Sequence, residues 1–265
     1  MAELQNYQYL AIALIFVWSG FVRTGLGFGG AMMSLPFLLL IDNRPLVYLP
    51  IIAVHLLFFS SITVWQNFQK HRQLQQSANA GASQGGGTID WLYLQKSLKI
   101  MIIPKLIGVA GLLTISSDIM TGIIFIIVSI YAVSYILNKP FKSKSPLLDK
   151  IFLMLGAYIS GTSLIGAPLI ISVFANHVAK QQLRDTLFVL WFILVVIKMI
   201  AFLYAGVDLQ LMHHLWLLPA ATVGHLLGLR FHQKIVDGDP LMFYRVLGVS
   251  LLSVSLMGIV SLFLK

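Results

Sequence analysis

Long apolar runs separated by short polar ones dominate this chain. They extend over about Tyr9–Ile41, Pro45–Trp65, Leu98–Ile115, Ile119–Leu137, Ile151–Ala175, Thr186–Ala205, Leu215–Leu229 and Leu241–Leu264. A helix crossing a bilayer needs roughly 20 apolar residues, and most of these runs fit one crossing. The first is too long for one, and both it and the fifth are interrupted by glycine. Gly20, Gly25, Gly30 and Ala31 recur as Gly156, Gly161, Gly166 and Ala167 at a constant spacing of 136 positions. Unwound backbone at membrane depth survives only where it is buried in protein or lines a wet cavity. Paired breaks in corresponding segments point to a transporter's binding site. The pattern predicts an all-α polytopic membrane protein of two structural repeats. Each repeat opens with a glycine-broken segment, as a re-entrant hairpin or two short helices, followed by three spans. Residues 1–138 form the first repeat, with a polar loop at 70–90, and residues 151–265 the second. Lys139–Lys150, with Pro140 and Pro146, links them.

The repeat reaches past the glycines. Ile89-Asp90-Trp91 resembles Val207-Asp208-Leu209, and Pro104 with Gly108 and Gly111 resembles Pro219 with Gly224 and Gly228. Small residues at such spacing suit close helix packing.

Composition agrees with the pattern. The chain is 58% hydrophobic and 10% charged, with mean hydropathy +0.88, whereas a soluble domain carries roughly 25% charged residues. No cationic region precedes the first apolar run, which therefore reads as part of the mature chain rather than a cleaved signal. Cysteine is absent, which removes disulfides, thiol catalysis and thiolate metal sites. The net charge is +9, and in a membrane protein that excess marks cytoplasmic loops before it suggests nucleic acid.

Charge placement decides between two topologies. If each broken segment crosses once, the cations divide 9 to 6 between the two sides. If each goes in and comes back, they divide 13 to 2. The larger set is then Lys70, Arg72, Lys96, Lys99, Lys139, Lys142, Lys144, Lys150, Lys180, Arg184, Arg230, Lys234 and Arg245. The smaller set is Arg44 and Lys265. Because Lys and Arg collect on the cytoplasmic side, the second topology is expected. The repeats are then inverted and both termini face the periplasm.

Three cations, Arg23, Lys105 and Lys198, fall inside apolar segments, as do His55 and His225. Every Asp lies at a segment end or in a loop, and the only Glu is Glu3. Ionisable groups at membrane depth are costly and usually functional. An all-basic set favours an anionic permeant and disfavours carboxylate-based ion coupling, while histidine leaves proton coupling open. A helix restarting after Gly29-Gly30, or at Pro168, presents free N–H groups and its positive end to an anion. Arg23, Thr24, Gly25, Gly27, Gly29 and Gly30 of the first break are therefore candidate substrate-binding residues. So are Ser160, Gly161, Thr162, Ser163, Gly166 and Pro168 of the second, together with Lys198 and His55. Lys105 has two readings, substrate contact or snorkelling toward Lys96 and Lys99. No metal-ligand spacing, nucleophile elbow or phosphate loop occurs, so no metal, cofactor or enzymatic reaction is expected.

A glycine motif opening each of two halves, each followed by an Asp-led span and a Pro/Gly-bearing span, resembles the sulfite exporter TauE/SafE family, also called the toluene sulfonate uptake permeases. The resemblance covers Tyr9 to Leu264, with Arg23 standing where the family commonly has a small or apolar residue. It implies a bacterial inner-membrane secondary transporter of sulfite, sulfonates or related small anions. A channel-like anion pore and a carboxylate permease are the alternatives.

Overall fold

A computed structural model describes residues 4–26, 29–77, 88–237 and 240–264. Among them the chain is helical: α1 (Asn6–Leu26), α2 (Gly30–Ile41), α3 (Pro45–Ser77), α4 (Trp91–Thr114), α5 (Ser117–Ile136), α6 (Pro146–Ser163), α7 (Ala167–His177), α8 (Lys180–Tyr204), α9 (Leu211–Asp237) and α10 (Pro240–Phe263). Five described helical stretches are long and apolar enough to cross a membrane: Pro45–Ile62, Trp91–Thr114, Ser117–Ile136, Lys180–Tyr204 and Tyr244–Phe263. The protein is thus an all-α, multi-span membrane protein. α2 and α7 are shorter apolar helices.

Both glycine-rich stretches interrupt helix. α1 stops at Leu26 and α2 starts at Gly30, with Gly29 at φ +87° ahead of it. α6 stops at Ser163, Leu164 turns left-handed at φ 61°, and α7 starts at Ala167 with Pro168 in its first turn. A left-handed residue frees the next peptide groups from the helical ladder and so ends the helix. Other helix starts use side-chain caps. Asp90 accepts from the Tyr93 N–H at 2.9 Å, and Ser145 accepts from the Leu148 N–H at 3.3 Å ahead of Pro146.

The apolar runs understate helix length. α4 starts at Trp91 rather than near Leu98, and α9 continues past Leu229 to Asp237. α3 carries helix to Ser77, into the stretch 70–90 expected to be loop; residues 78–87 lie outside the described residues. Hydropathy marks only the lipid-facing part of a helix, while the backbone ladder continues into the polar zone.

Packing crosses between the halves. α1 packs chiefly on α9, α4 on α6, α5 on α10 and α3 on α8, while α2 lies along α1 and α7 along α6. Exchanging the first five helices with the last five maps each of these pairings onto another of the set or onto itself. Glycine lets two of these pairs cross closely. A Cβ on Gly224 of α9 would lie 1.8 Å from the Val17 carbonyl oxygen, and one on Gly108 of α4 would lie 2.3 Å from that of Tyr158 in α6. Backbones in direct contact replace the hydrophobic driving force that lipid cannot supply between helices. Isoleucines and leucines such as Ile103, Ile107, Leu215 and Leu226 face outward, as a lipid-exposed surface requires.

The helix ends sort into two sets. Gln8 in α1 donates to the Ile41 carbonyl at the end of α2, Tyr9 contacts Trp216 in the second turn of α9, and Asn43 before α3 bonds Asp118 at the start of α5. At the other end, Tyr93 at the start of α4 stacks on His177 at the end of α7. His177 also meets Asp149 in the first turn of α6 at 2.7 Å, and Tyr135 at the end of α5 meets Tyr244 in α10.

Candidate functional site

The two breaks open onto one cavity of about 60 Å³. The first half lines it with Arg23, Gly29, Gly30, Ala31 and Met32, and with Leu56 and Ser60 of α3. The second half adds Ser160, Leu164, Ile165 and Ala167, and Phe188, Trp191, Leu194 and Val195 of α8. Each half therefore contributes the end of one helix, the break, the start of the next helix and one face of the third.

Arg23 lies in the last turn of α1. Its guanidinium carbon stacks 3.7 Å from the Phe59 ring centroid, and Nη1 donates to the His55 carbonyl at 3.4 Å. Nη2 is buried with no hydrogen-bond partner. Beside it, the Thr24 hydroxyl and His225 Nδ1 lie 2.6 Å apart, joining α1 to α9.

The end of α6 is held by two lysines. Lys105, fully buried, donates from Nζ to both the carbonyl oxygen and Oγ of Ser160, at 2.9 Å each. Lys198, also fully buried, donates to the Thr162 carbonyl at 3.2 Å. The snorkelling reading of Lys105 is therefore wrong. Its ammonium turns inward to the C-terminal end of α6, where the dipole is negative; the Ser160 carbonyl, which also accepts from the Leu164 N–H, offers it a second lone pair.

The predicted residues divide by position. Arg23, Gly29, Gly30 and Ser160 line the cavity. Thr162 and Ser163 turn their hydroxyls back to the Ile159 carbonyl, at 3.0 Å each. Gly161 and Gly166 fill packing positions: a Cβ would lie 2.5 Å from the Lys105 carbonyl oxygen at Gly161, and 1.9 Å from that of Gly156 at Gly166. Pro168 starts α7 and Gly25 sits in α1, while Gly27 lies outside the described residues. Lys198 and the His55 ring stand behind the lining. Ser60, Phe188 and Trp191 were missed. Leu56 and Ser60 lie on α3 and Phe188 and Trp191 on α8, two helices that pack on each other across the chain, and no glycine or charge marks them in the sequence.

Residues 12–258 match the family described as Sulfite exporter TauE/SafE. The chain belongs to this family. No curated protein and no solved structure matches it. TauE/SafE proteins are membrane transporters of small anions, not enzymes.

Proposed function

We propose that this TauE/SafE member is a secondary transporter of small sulfur-containing anions such as sulfite or a sulfonate. The anionic head is held where the two breaks meet. The observation that carries this is the Arg23 guanidinium, which lines a cavity shared by both breaks with Nη2 buried and unpartnered. A guanidinium fork matches the oxygens of such an anion. The starts of α2 and α7 add the unpaired N–H groups and positive ends of two helices. Arg23, Gly29, Gly30 and Ser160 are the contact residues of this reading. Gly161, Thr162, Ser163, Gly166 and Lys198 shape the second break behind them, and Thr24, through His225, fixes the end of α1.

The same reading makes each broken segment a re-entrant hairpin and the repeats inverted, in a bacterial inner membrane with both termini periplasmic. The contact of Ile41 with Gln8, and of His177 with Asp149, supports a return of α2 and α7 to the ends from which α1 and α6 set out. The 13-to-2 division of cations supports the orientation.

Flux into proteoliposomes of sulfite, thiosulfate, methanesulfonate and lactate tests this. Concentrative uptake of the sulfur anions is expected. Preference for lactate would make it a carboxylate permease, flux that only equilibrates would make it a pore, and no flux of any anion would reject the reading.

A further inference from the structure

Beside the anion cavity lies a cluster that anion binding leaves unused. His55 of α3 is 5% exposed, and its Nε2 is buried without a hydrogen-bond partner. His214, in the first turn of α9, faces it with ring centroids 5.3 Å apart. His214 Nε2 lies 3.2 Å from the Leu209 carbonyl, which can only accept, so that nitrogen carries the hydrogen. Its Nδ1 is then a bare lone pair, buried and unpartnered. Phe16 of α1 closes over His55 edge-on at 4.9 Å. Two buried, unpartnered imidazole nitrogens thus stand together, His214 Nδ1 as a bare lone pair and His55 Nε2 as another in the tautomer that carries its hydrogen on Nδ1, with no carboxylate facing them among the described residues.

On the His214 side stand its neighbour His213 and, facing His213, Asp208 and the N-terminus. The titratable or charged groups acting on His55 are His214 from α9 and Arg23 from α1. His225 of α9 lies beyond the Phe59 ring and is tied to Thr24. α2 carries no titratable side chain, Lys198 of α8 is turned to the Thr162 carbonyl, and Asp118 of α5 is held by Asn43. The Arg23 guanidinium rests on Phe59, which also contacts the His55 ring at 6.5 Å between centroids.

We propose that His55, reached through His214, is the proton-binding site that couples anion transport to a pH gradient, with proton and anion moving in the same direction. The inference rests on the reading of Arg23 as the anion's ligand. Without an anion, a proton on His55 Nε2 faces the Arg23 charge and is disfavoured. An anion on Arg23 cancels that charge and lets the proton bind, and by reciprocity the proton tightens the anion. No covalent bond other than N–H changes. The proton enters from the end of the bundle where α9 starts, passes from His214 Nδ1 to His55 Nε2, and leaves when the anion does. An exchanger would require the opposite sign, with anion and proton competing.

The test uses the full-length protein in proteoliposomes with labelled thiosulfate and methanesulfonate, whose charge does not change around pH 6 to 8. An inward proton gradient is expected to drive accumulation. A pH dye should report protons entering with the anion, and apparent affinity should rise by up to about tenfold per unit fall in pH where His55 titrates. His55→Gln and His214→Gln should lower the ratio of gradient-driven flux to anion–anion exchange, a ratio that a merely structural defect leaves alone. Exposed His177→Gln should not change it. Wild-type anion flux without proton movement, or with protons moving the opposite way, overturns the proposal and leaves the anion site standing. A gradient response that survives His55→Gln also overturns it. If His55→Gln fails to insert, the wild-type proton flux and His214→Gln decide. Absence of exchange for both anions in the wild type rejects the transport reading itself.

Discussion

Arg23→Gln separates a binding arginine from a structural one. Its hydrogen bond to the His55 carbonyl is long at 3.4 Å, and Nη2 has no partner among the described residues. The contact with Phe59 at 3.7 Å is a cation–π interaction worth roughly 0.5–2 kcal/mol. Against it stands the cost of an uncompensated guanidinium at membrane depth, at least about 2.5–3.5 kcal/mol. Glutamine removes the charge and keeps a donor for the His55 carbonyl, so stability should hold or rise by roughly 1–2 kcal/mol. Function should move the other way. A hydrogen bond from a charged donor to a bound anion contributes about 1.5–3 kcal/mol, so apparent affinity should fall roughly 10- to 150-fold. Arg23→Lys keeps the charge but loses the planar fork and should fall between. The assays are uptake rate against anion concentration in proteoliposomes and the thermal midpoint of the purified protein. A lower midpoint with unchanged affinity would refute the argument and make Arg23 a packing residue.

Four further outcomes are expected. Gly224→Ala should destabilise the protein by about 1–3 kcal/mol and cut flux, because its Cβ would meet the Val17 carbonyl and push α9 and His225 away from Thr24. Gly111→Ala, whose Cβ meets only the Ile115 side chain at 3.6 Å, should be neutral or stabilising by up to about 1 kcal/mol; thermal midpoints of the two compare them. In intact spheroplasts an impermeant thiol reagent should label Tyr7→Cys and spare Gln84→Cys, and the reverse would sink the inverted topology. Burial pushes the Asp149 carboxyl up, but hydrogen bonds from Ser143 and His177 and the charges of His177 and Lys96 outweigh it, holding it below its ordinary value. Its stabilisation is therefore full above the unfolded pKa, near ~4, and is lost as pH falls through the folded one. Asp149→Asn should lower the thermal midpoint slightly at neutral pH, with the difference vanishing in acid and shrinking in high salt.

Apolar runs and glycine spacing were enough to determine an all-α, multi-span membrane protein and the positions of both helix breaks. These are local properties: lipid compatibility is read residue by residue, and glycine releases backbone wherever it falls. The partners of each helix were not legible. Aligned at 136 positions, Gly20 corresponds to Gly156 and Gly25 to Gly161, yet the packing equates Gly20 with Gly161. A Cβ on Gly20 would lie 2.2 Å from the Ala221 carbonyl oxygen of α9, and one on Gly161 would lie 2.5 Å from that of Lys105 in α4. Register along a first helix is set by the backbone it crosses in the other half, and no local pattern carries that. The same holds for the cations. Arg23 and Lys105 read alike as buried charges, but Lys105 spends its bonds on Ser160 while Arg23 keeps a donor free beside the cavity. Charge at membrane depth is written in the chain. Whether another helix has already satisfied that charge is decided only when the two halves pack.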